Sequence, residues 1–280
     1  MKIAVIYDKF REDVLGEYYK RALERAGHTV EHFWLKDSVC IKPEYDLYFR
    51  VDDGDYKFDI PHAKLKPGIF YASDVHLKKP FRKISKVVPL YDMVFCAQYD
   101  GCQALKRKFP EKVAWLPHAA DLEFHKDLGI ARDLDIGFVG NDGSVPRKFF
   151  LQELRERYPN SFIGNAPSSK INEIYSRSKI VFNYSIKNDI NMRMFEALMS
   201  GAMLLTNFLE DKGFAQLFED RKNLVLYKNP KELFELLEYY LGHEGERRAI
   251  ARAGWELAKE RFTYDKRVEE ILAYIKRGKA

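Results

Sequence analysis

The stretch Asn191-Met-Arg-Met-Phe-Glu-Ala-Leu-Met-Ser-Gly-Ala-Met-Leu-Leu-Thr-Asn207 decides how this chain is read. Met192, Phe195, Leu198 and Met199 recur at helical spacing and form one apolar stripe. Gly201 stands where a helix needs a terminating residue with positive φ. Ala202 to Leu205 then reads as a short strand buried on both faces. Asn191, Arg193 and Glu196 stand out against that apolar background. Arg193 and Glu196 are three apart, so they share a face near the helix start. A carboxylate there can accept hydrogen bonds from two neighbouring sugar hydroxyls. An arginine beside free helix-start amides can hold a phosphate. The pairing suits a nucleotide, and a plain surface Arg–Glu pair accounts for the same residues equally well.

Working outward, the 280 residues suit two domains of about 130 to 150 residues each. With 20 Phe and 17 Tyr, the chain has the apolar mass to bury cores and does not read as disordered. No apolar run approaches the roughly 18 residues of a membrane helix. Met1-Lys-Ile-Ala-Val-Ile-Tyr7 reads as a strand, not a signal peptide, because no cleavage region follows. Cys40, Cys96 and Cys102 lack metal-ligand spacing, and so sparse a set fits reduced thiols in a cytoplasm. The net charge of +5 divides as +2 through residue 125 (21 basic against 19 acidic) and +3 after it (26 against 23). Neither half is a dedicated nucleic-acid arm, so no nucleic-acid partner is expected.

Both halves alternate strands and helices, which implies parallel sheets covered on both faces. Strands are expected at Lys2 to Tyr7, Thr29 to Trp34, Tyr45 to Arg50, Gly68 to Ala72, Met93 to Ala97 and Lys112 to Leu116. Helices are expected at Asp13 to Ala26, ended by Gly27, and at Tyr99 to Phe109. Asp121 to Leu134 is polar and poorly periodic and reads as a linker. A second alternation opens at Asp135-Ile-Gly-Phe-Val-Gly140, and helices dominate from Pro230 to Lys279.

The C-terminal half carries an ordered set of segments. Ile174-Tyr-Ser-Arg-Ser-Lys-Ile-Val-Phe-Asn-Tyr-Ser185 precedes the Asn191 stretch. Glu219-Asp-Arg-Lys-Asn-Leu-Val-Leu-Tyr227, Glu246-Arg-Arg-Ala-Ile-Ala-Arg-Ala-Gly254 and Phe262-Thr-Tyr-Asp-Lys-Arg267 follow it. This order resembles the C-terminal domain of the spore-maturation (CgeB-like) glycosyltransferases, relatives of the family-4 retaining glycosyltransferases of GT-B fold. The resemblance runs from about Asp135 to Arg267 and is weaker before Ala131, where Trp115-Leu-Pro-His-Ala-Ala-Asp121 matches best. It implies an α/β chain with two Rossmann-like domains facing across a cleft. Residues 1–125 would form the acceptor domain and 126–262 the nucleotide-sugar domain, with 263–280 a helix returning to the first domain.

In open parallel sheets ligands bind beyond the carboxyl ends of strands, and that rule selects the candidate residues. Gly140-Asn-Asp-Gly-Ser-Val-Pro-Arg147 follows the first strand of the second half. Gly140 and Gly143 allow close backbone approach, and Arg147 begins the next helix. The resemblance puts an arginine here, so Arg147, Arg193 and Asn191 are expected at a diphosphate, with Lys148 as the substitute for Arg147. A Gly/Asp turn is the plainer account. Gly164-Asn165-Ala-Pro167 and Tyr175 are candidates for the nucleobase rim, although a tyrosine at helical spacing also suits a core. Asn183 and Ser185 end a strand at the same rim, where they also suit turn chemistry. Glu196 is the ribose candidate.

One departure from the resembled pattern matters. Family-4 enzymes commonly pair two glutamates eight positions apart; the position eight before Glu196 is Asn188, with Asp189 beside it as a substitute. The choice of sugar is therefore open. In the first half, Tyr71-Ala-Ser-Asp74-Val-His76 places Asp74 and His76 after an apolar strand, where either can orient or deprotonate an acceptor hydroxyl. A helix cap and a loop histidine are the plainer readings. His118 resembles a residue lining the turn between domains, and a structural Pro-His turn fits it equally.

The expectation is a glycosyltransferase that moves a sugar from a nucleoside-diphosphate donor to a hydroxyl on a glycan, lipid-linked or protein acceptor. It needs no metal cofactor and, by resemblance, retains configuration. Asp52-Asp-Gly-Asp55 looks like the metal motif of GT-A transferases, but that class lacks the two-domain pattern. An epimerase or hydrolase on the same scaffold and a catalytically idle binding module are the rival readings. An oxidoreductase is disfavoured, because no Gly-x-Gly-x-x-Gly follows the first strand. Lys78 to Lys86, dense in Lys and Arg, reads as a solvated helix face or as a contact with an anionic acceptor or inner membrane surface.

Overall fold

A computed structural model describes residues 1–52, 60, 64–143 and 145–277. The chain divides into two compact units. The first comprises Met1–Pro117, Asp211–Gly213 and Tyr264–Ala280; the second comprises His118–Glu210 and Phe214–Thr263. The acidic turn Asp53 to Asp55 lies outside the described residues.

The first unit holds β1 (Lys2–Ile6), α1 (Leu15–Arg25), β2 (Thr29–Phe33), β3 (Leu47–Val51), β4 (Gly68–Ala72), α2 (Lys78–Val87), β5 (Met93–Cys96), α3 (Tyr99–Lys106) and β6 (Val113–Trp115). Its sheet runs β2-β1-β3-β4-β5-β6, every pair parallel. β3 and β4 are buried throughout, as continuous apolar runs in a parallel sheet should be. Arg50 is the exception in β3. Its guanidinium lies 4.8 Å from the Phe70 ring centroid and donates to the Tyr91 hydroxyl at 3.2 Å.

The second unit holds β7 (Leu134–Val139), α4 (Val145–Arg157), β8 (Phe162–Gly164), α5 (Ser168–Arg177), β9 (Ser178–Asn183), α6 (Met192–Met199), β10 (Met203–Asn207), α7 (Phe214–Leu217), β11 (Val225–Tyr227), α8 (Pro230–Gly242) and α9 (Glu244–Arg261). Its sheet, also all parallel, runs β11-β10-β9-β7-β8. The two sheets share one winding. Each leaves its first strand for one neighbour, then crosses to the opposite side and continues outward. The crossing creates a switch point between β1 and β3 in one unit and between β7 and β9 in the other.

The decisive stretch folds as its period requires. Phe195, Leu198 and Met199 of the expected stripe are buried, Met192 in the first turn of α6 is half-buried with Met194 buried instead, and Gly201 ends the helix at φ 72°. A side chain there would also press to 2.7 Å from the Asp127 carboxylate. The last helix, α10 (Tyr264–Arg277), belongs to the first unit. Tyr264 stacks on Tyr18 at 5.2 Å, and the buried Arg267 donates to the Pro117 carbonyl at 2.8 Å. The long helical tail is broken at His243 and at Phe262–Thr263.

The stretch read as a linker is tied into the second unit. Arg132 donates to the carbonyls of Tyr175, Ser178 and Ser200, which lie at the C-terminal ends of α5 and α6. A helix-period reading cannot see this, because the bonds are made by one long side chain in an aperiodic segment.

Candidate functional site

The switch point of the second unit is built from three strand and helix ends. β7 ends at Val139 and passes into Gly140; β9 ends at Asn183; α6 starts after Asn191. Arg193 spans them. Its Nε and Nη2 donate to the Val139 carbonyl at 3.2 and 3.0 Å, and its Nη1 donates to Asn183 Oδ1 at 2.9 Å. Asn183 is itself fixed, because its amide donates to Thr206 Oγ1 at 2.9 Å and its carbonyl accepts from Tyr227. Gly140 has φ 149°, and a Cβ there would lie 2.6 Å from Arg193 Nη2. Glycine is what admits the guanidinium to the strand end.

Arg147 lies in the first turn of α4, and its Nε donates to the Asp142 carbonyl at 3.2 Å. Both arginines face one aromatic ring: the Phe138 centroid is 4.5 Å from the Arg193 guanidinium carbon and 5.8 Å from that of Arg147. Among the described residues neither is in an ion pair. Burial lowers the Arg147 pKa from its ordinary value, and the like charge of Arg193 lowers it further. Two half-buried cations held side by side make a site that an anion relieves. Lys148, the substitute for Arg147, is exposed.

Glu196 lies one helical turn beyond Arg193, with its side chain 13% exposed. Its Oε1 is 3.7 Å from Nε2 of the buried His125. The Asp121 amide donates to His125 Nδ1 at 3.0 Å, so that nitrogen carries the lone pair and the proton sits on Nε2, toward the carboxylate. Sequence reasoning missed His125. Its only signal was the run of Asp and His within a stretch read as linker. Tyr175 lies underneath, 1% exposed, and not at the nucleobase rim. Burial raises its phenol pKa to about 12, with Arg193 opposing and Glu196 adding to the rise.

The other rim residues are less free than their positions suggest. Asn188 has φ 61°, and its Oδ1 accepts from the Glu210 amide at 2.5 Å. Asp189 Oδ1 accepts from Ser185 Oγ at 2.5 Å, and the Ser185 amide donates to Asn207 Oδ1. Asn191 precedes α6 without making a side-chain cap. Its Oδ1 is buried and, among the described residues, lacks a hydrogen-bond partner. Asn165 is exposed, and Gly164 has open space where a Cβ would point, so nothing in the fold demands glycine there.

In the first unit, Asp74 and His76 follow β4 and are half-buried, and the Asp74 carbonyl accepts from the Leu77 amide at 3.0 Å. Asp52 follows β3 and is 4% exposed, with Oδ2 accepting from the amide and hydroxyl of Ser73, each at 3.0 Å. His118 is 6% exposed and belongs to the second unit. The structure thus brings Arg147, Arg193, Gly140, Asn191 and Glu196 to one switch point, adds His125 and places Tyr175 beneath. Asp74 and His76 stand at a strand end of the other unit.

Comparison with known proteins defines the class. The family model described as "Glycosyl transferase-like" matches residues 123–273, more than half the chain. No curated protein sequence matches the chain. Among solved structures it is similar to Anabaena Alr3699/HepE in complex with UDP, at 14% identity and TM-score 0.68, covering 98% of this chain and 100% of that one. It is also similar to sucrose-phosphate synthase (tll1590) from Thermosynechococcus elongatus, at 10% identity and TM-score 0.66, covering 99% and 98%. A glycosyltransferase from Rickettsia africae ESF-5 aligns at 11% identity and TM-score 0.65, covering 97% of each chain. These likenesses show the GT-B fold. The chain belongs to the Glycosyl transferase-like family, and its enzyme class is that of the glycosyltransferases.

Proposed function

We propose that the β7–β9 switch point is a nucleoside-diphosphate-sugar site, from which the enzyme transfers the sugar to an acceptor hydroxyl. The observation that carries this reading is the pair Arg193 and Arg147, held over one ring with no ion pair among the described residues, with Glu196 one turn along. A diphosphate fits between the guanidiniums and the start of α6. Glu196, steadied by His125, accepts from two ribose hydroxyls. The orphan Oδ1 of Asn191 is an acceptor for a sugar hydroxyl or a base N–H. Structures titled as HepE with UDP and with UDP-glucose share the fold, which supports a nucleotide-sugar donor.

Transfer then rests on positioning and on fixed positive charge that stabilises the departing diphosphate. The two arginines supply that charge without a metal, and retention of configuration is the stereochemistry the family-4 resemblance implies. Asp74 and His76 are the groups assigned to the acceptor hydroxyl of a glycan, lipid-linked or protein substrate, with His118 assigned to the cleft wall. The order of the C-terminal segments supports the CgeB-like branch of the family. The sparse cysteines support a reducing cytoplasm.

A binding module without turnover is the second reading. It is favoured by the engaged side chains at the missing glutamate, since Asn188 serves Glu210 and Asp189 serves Ser185. The test is a thermal-shift panel of nucleoside diphosphates and their sugars, followed by donor turnover. A ligand at a hundred times its Kd adds about 2.7 kcal/mol to stability. Absence of any nucleotide shift would sink the site. A shift without turnover, with every acceptor class tried, would favour the module. Turnover that survives chelation supports the metal-free mechanism.

A further inference from the structure

α2 carries Lys78, Lys79, Arg82, Lys83 and Lys86, and all five are exposed. The helix contains no acidic residue. Only Ile84 is fully buried, while Phe81 and Val87 pack partly against the core of the first unit. The end of α3 supplies a second basic group, because Lys106, Arg107 and Lys108 are exposed in succession. The two groups adjoin, with Lys108 Nζ 5.8 Å from the Phe81 ring centroid. Leu90, 43% exposed, lies just past α2 in a turn braced by Lys112, which donates to the Pro89 and Tyr91 carbonyls.

Ion pairing is otherwise common on this chain, and α8, α9 and α10 each carry Lys–Glu or Arg–Glu pairs within the helix. Among the described residues Lys78, Lys79, Arg82, Lys86, Lys106, Arg107 and Lys108 are in no ion pair. A solvated helix normally interleaves its charges, because like charges at i,i+4 repel. Lys78 and Arg82 stand at that spacing, as do Lys79 and Lys83, and Arg82 and Lys86. The repulsion is relieved by an apposed sheet of negative charge. Among the described residues no helix is long and apolar enough to cross a membrane, so such contact would be peripheral.

We propose that α2 and the end of α3 form one basic face that docks on an anionic lipid bilayer, with Leu90 entering the interface. The occupant follows from charge complementarity over two helices. Each Lys or Arg near an anionic surface raises partitioning about fivefold, and salt screens it over roughly a Debye length. The face is distant in sequence from the switch-point arginines, so the inference is independent of the donor reading.

The experiment is cosedimentation of the full chain with phosphatidylcholine vesicles, with and without phosphatidylglycerol, across a salt series. The expected result is binding only to the anionic vesicles, falling steeply with salt. Combined Lys78→Gln, Lys79→Gln, Arg82→Gln and Lys86→Gln changes should lower partitioning on the order of a thousandfold at low salt. A separate Lys106→Gln, Arg107→Gln, Lys108→Gln variant should lower it by a smaller factor. Melting temperature and the far-UV circular dichroism spectrum are the controls for folding in both. Equal binding to neutral vesicles, no binding at low salt, or variants that partition like the wild type would overturn the proposal. So would tighter binding to a DNA duplex than to the vesicles at the same salt.

Discussion

The two sheets wind in the same way, yet their switch points carry opposite charge. In the first unit the point between β1 and β3 is flanked by Asp8 and Asp52, which are 7% and 4% exposed. Each is engaged locally: Asp8 Oδ1 accepts from the Leu35 amide at 3.0 Å, and Asp52 accepts from Ser73. In the second unit the corresponding point carries Arg193 and Arg147, whose hydrogen bonds go to carbonyls and an amide oxygen, and among the described residues neither forms an ion pair, although Asp189 and Asp142 lie close enough to favour the charge of Arg147. A diphosphate would meet two carboxylates at one and two guanidiniums at the other. Fold alone makes both ends candidate sites; electrostatics selects one.

The sharpest way to break this comparison is Arg193→Ala. Removing the guanidinium should weaken nucleoside-diphosphate binding by about 3 kcal/mol, roughly a hundredfold, in titration calorimetry. The free nucleoside should lose far less. Arg193→Lys should keep part of the affinity but not the three-way bridge to Val139 and Asn183, because an ammonium lacks the planar fork. Equal losses for nucleoside and diphosphate would mean that the arginine serves the strand ends and not the ligand. Glu196→Gln comes next. Its expected cost is about 2 kcal/mol for any ligand containing ribose, with an unchanged melting temperature, since the side chain is not part of the core. If a deoxyribose analogue distinguished the variant from the wild type no less than ribose does, the ribose role would be dropped.

How much of this was legible before the structure depends on the range of the contact. Helical period alone places Arg193 and Glu196 on one face, because that relation lies within a single element. The bridge from Arg193 to Val139 depends on β7 and β9 being neighbours, and strand order is a long-range property that no local pattern encodes. His125 was hidden for the same reason, since its partner Glu196 lies on a different element across the unit. Tyr175 shows the converse error: position along α5 suggested the rim, but packing turned the ring beneath Arg193. Asn188 and Asp189 looked available because sequence reveals identity and not occupancy. The positive φ of Asn188 and its bond to Glu210 exist only in the folded loop.

Arg147 tests whether the two cations act as one site. Arg147→Ala should cost about 1.5 kcal/mol of diphosphate affinity, less than Arg193, because it is bound to the site by one hydrogen bond and is further from Phe138. In a double-mutant cycle the losses should not add, as expected for neighbours that share one anion. Strict additivity would place the arginines on separate ligand groups and break the reading of one phosphate pocket.

The smallest effect belongs to the first unit and sharpens the contrast from the other side. There the charges are internal to the fold, so they should register in stability and not in affinity. Glu17 sits in α1, where the Tyr7 hydroxyl donates to it and Lys9 lies 3.1 Å away. Burial pushes its pKa up, but the hydrogen bonds from Tyr7 and Lys9, together with the charges of Lys9 and Lys20, outweigh burial and hold it below its ordinary value of 4.5. A carboxylate whose folded pKa is depressed contributes stability that is present above 4.5 and fades as pH falls through the folded value. Tyr7→Phe removes one of the stabilising donors and should cost about 1 kcal/mol at neutral pH. It should also shrink the difference between melting temperatures measured at neutral pH and below pH 4.5. Nucleotide affinity should not change. A Tyr7→Phe protein with an unaltered acid limb would show that Glu17 is held by its basic neighbours Lys9 and Arg21 without the phenol, and a weakened nucleotide affinity would mean that the two switch points are not electrostatically separate.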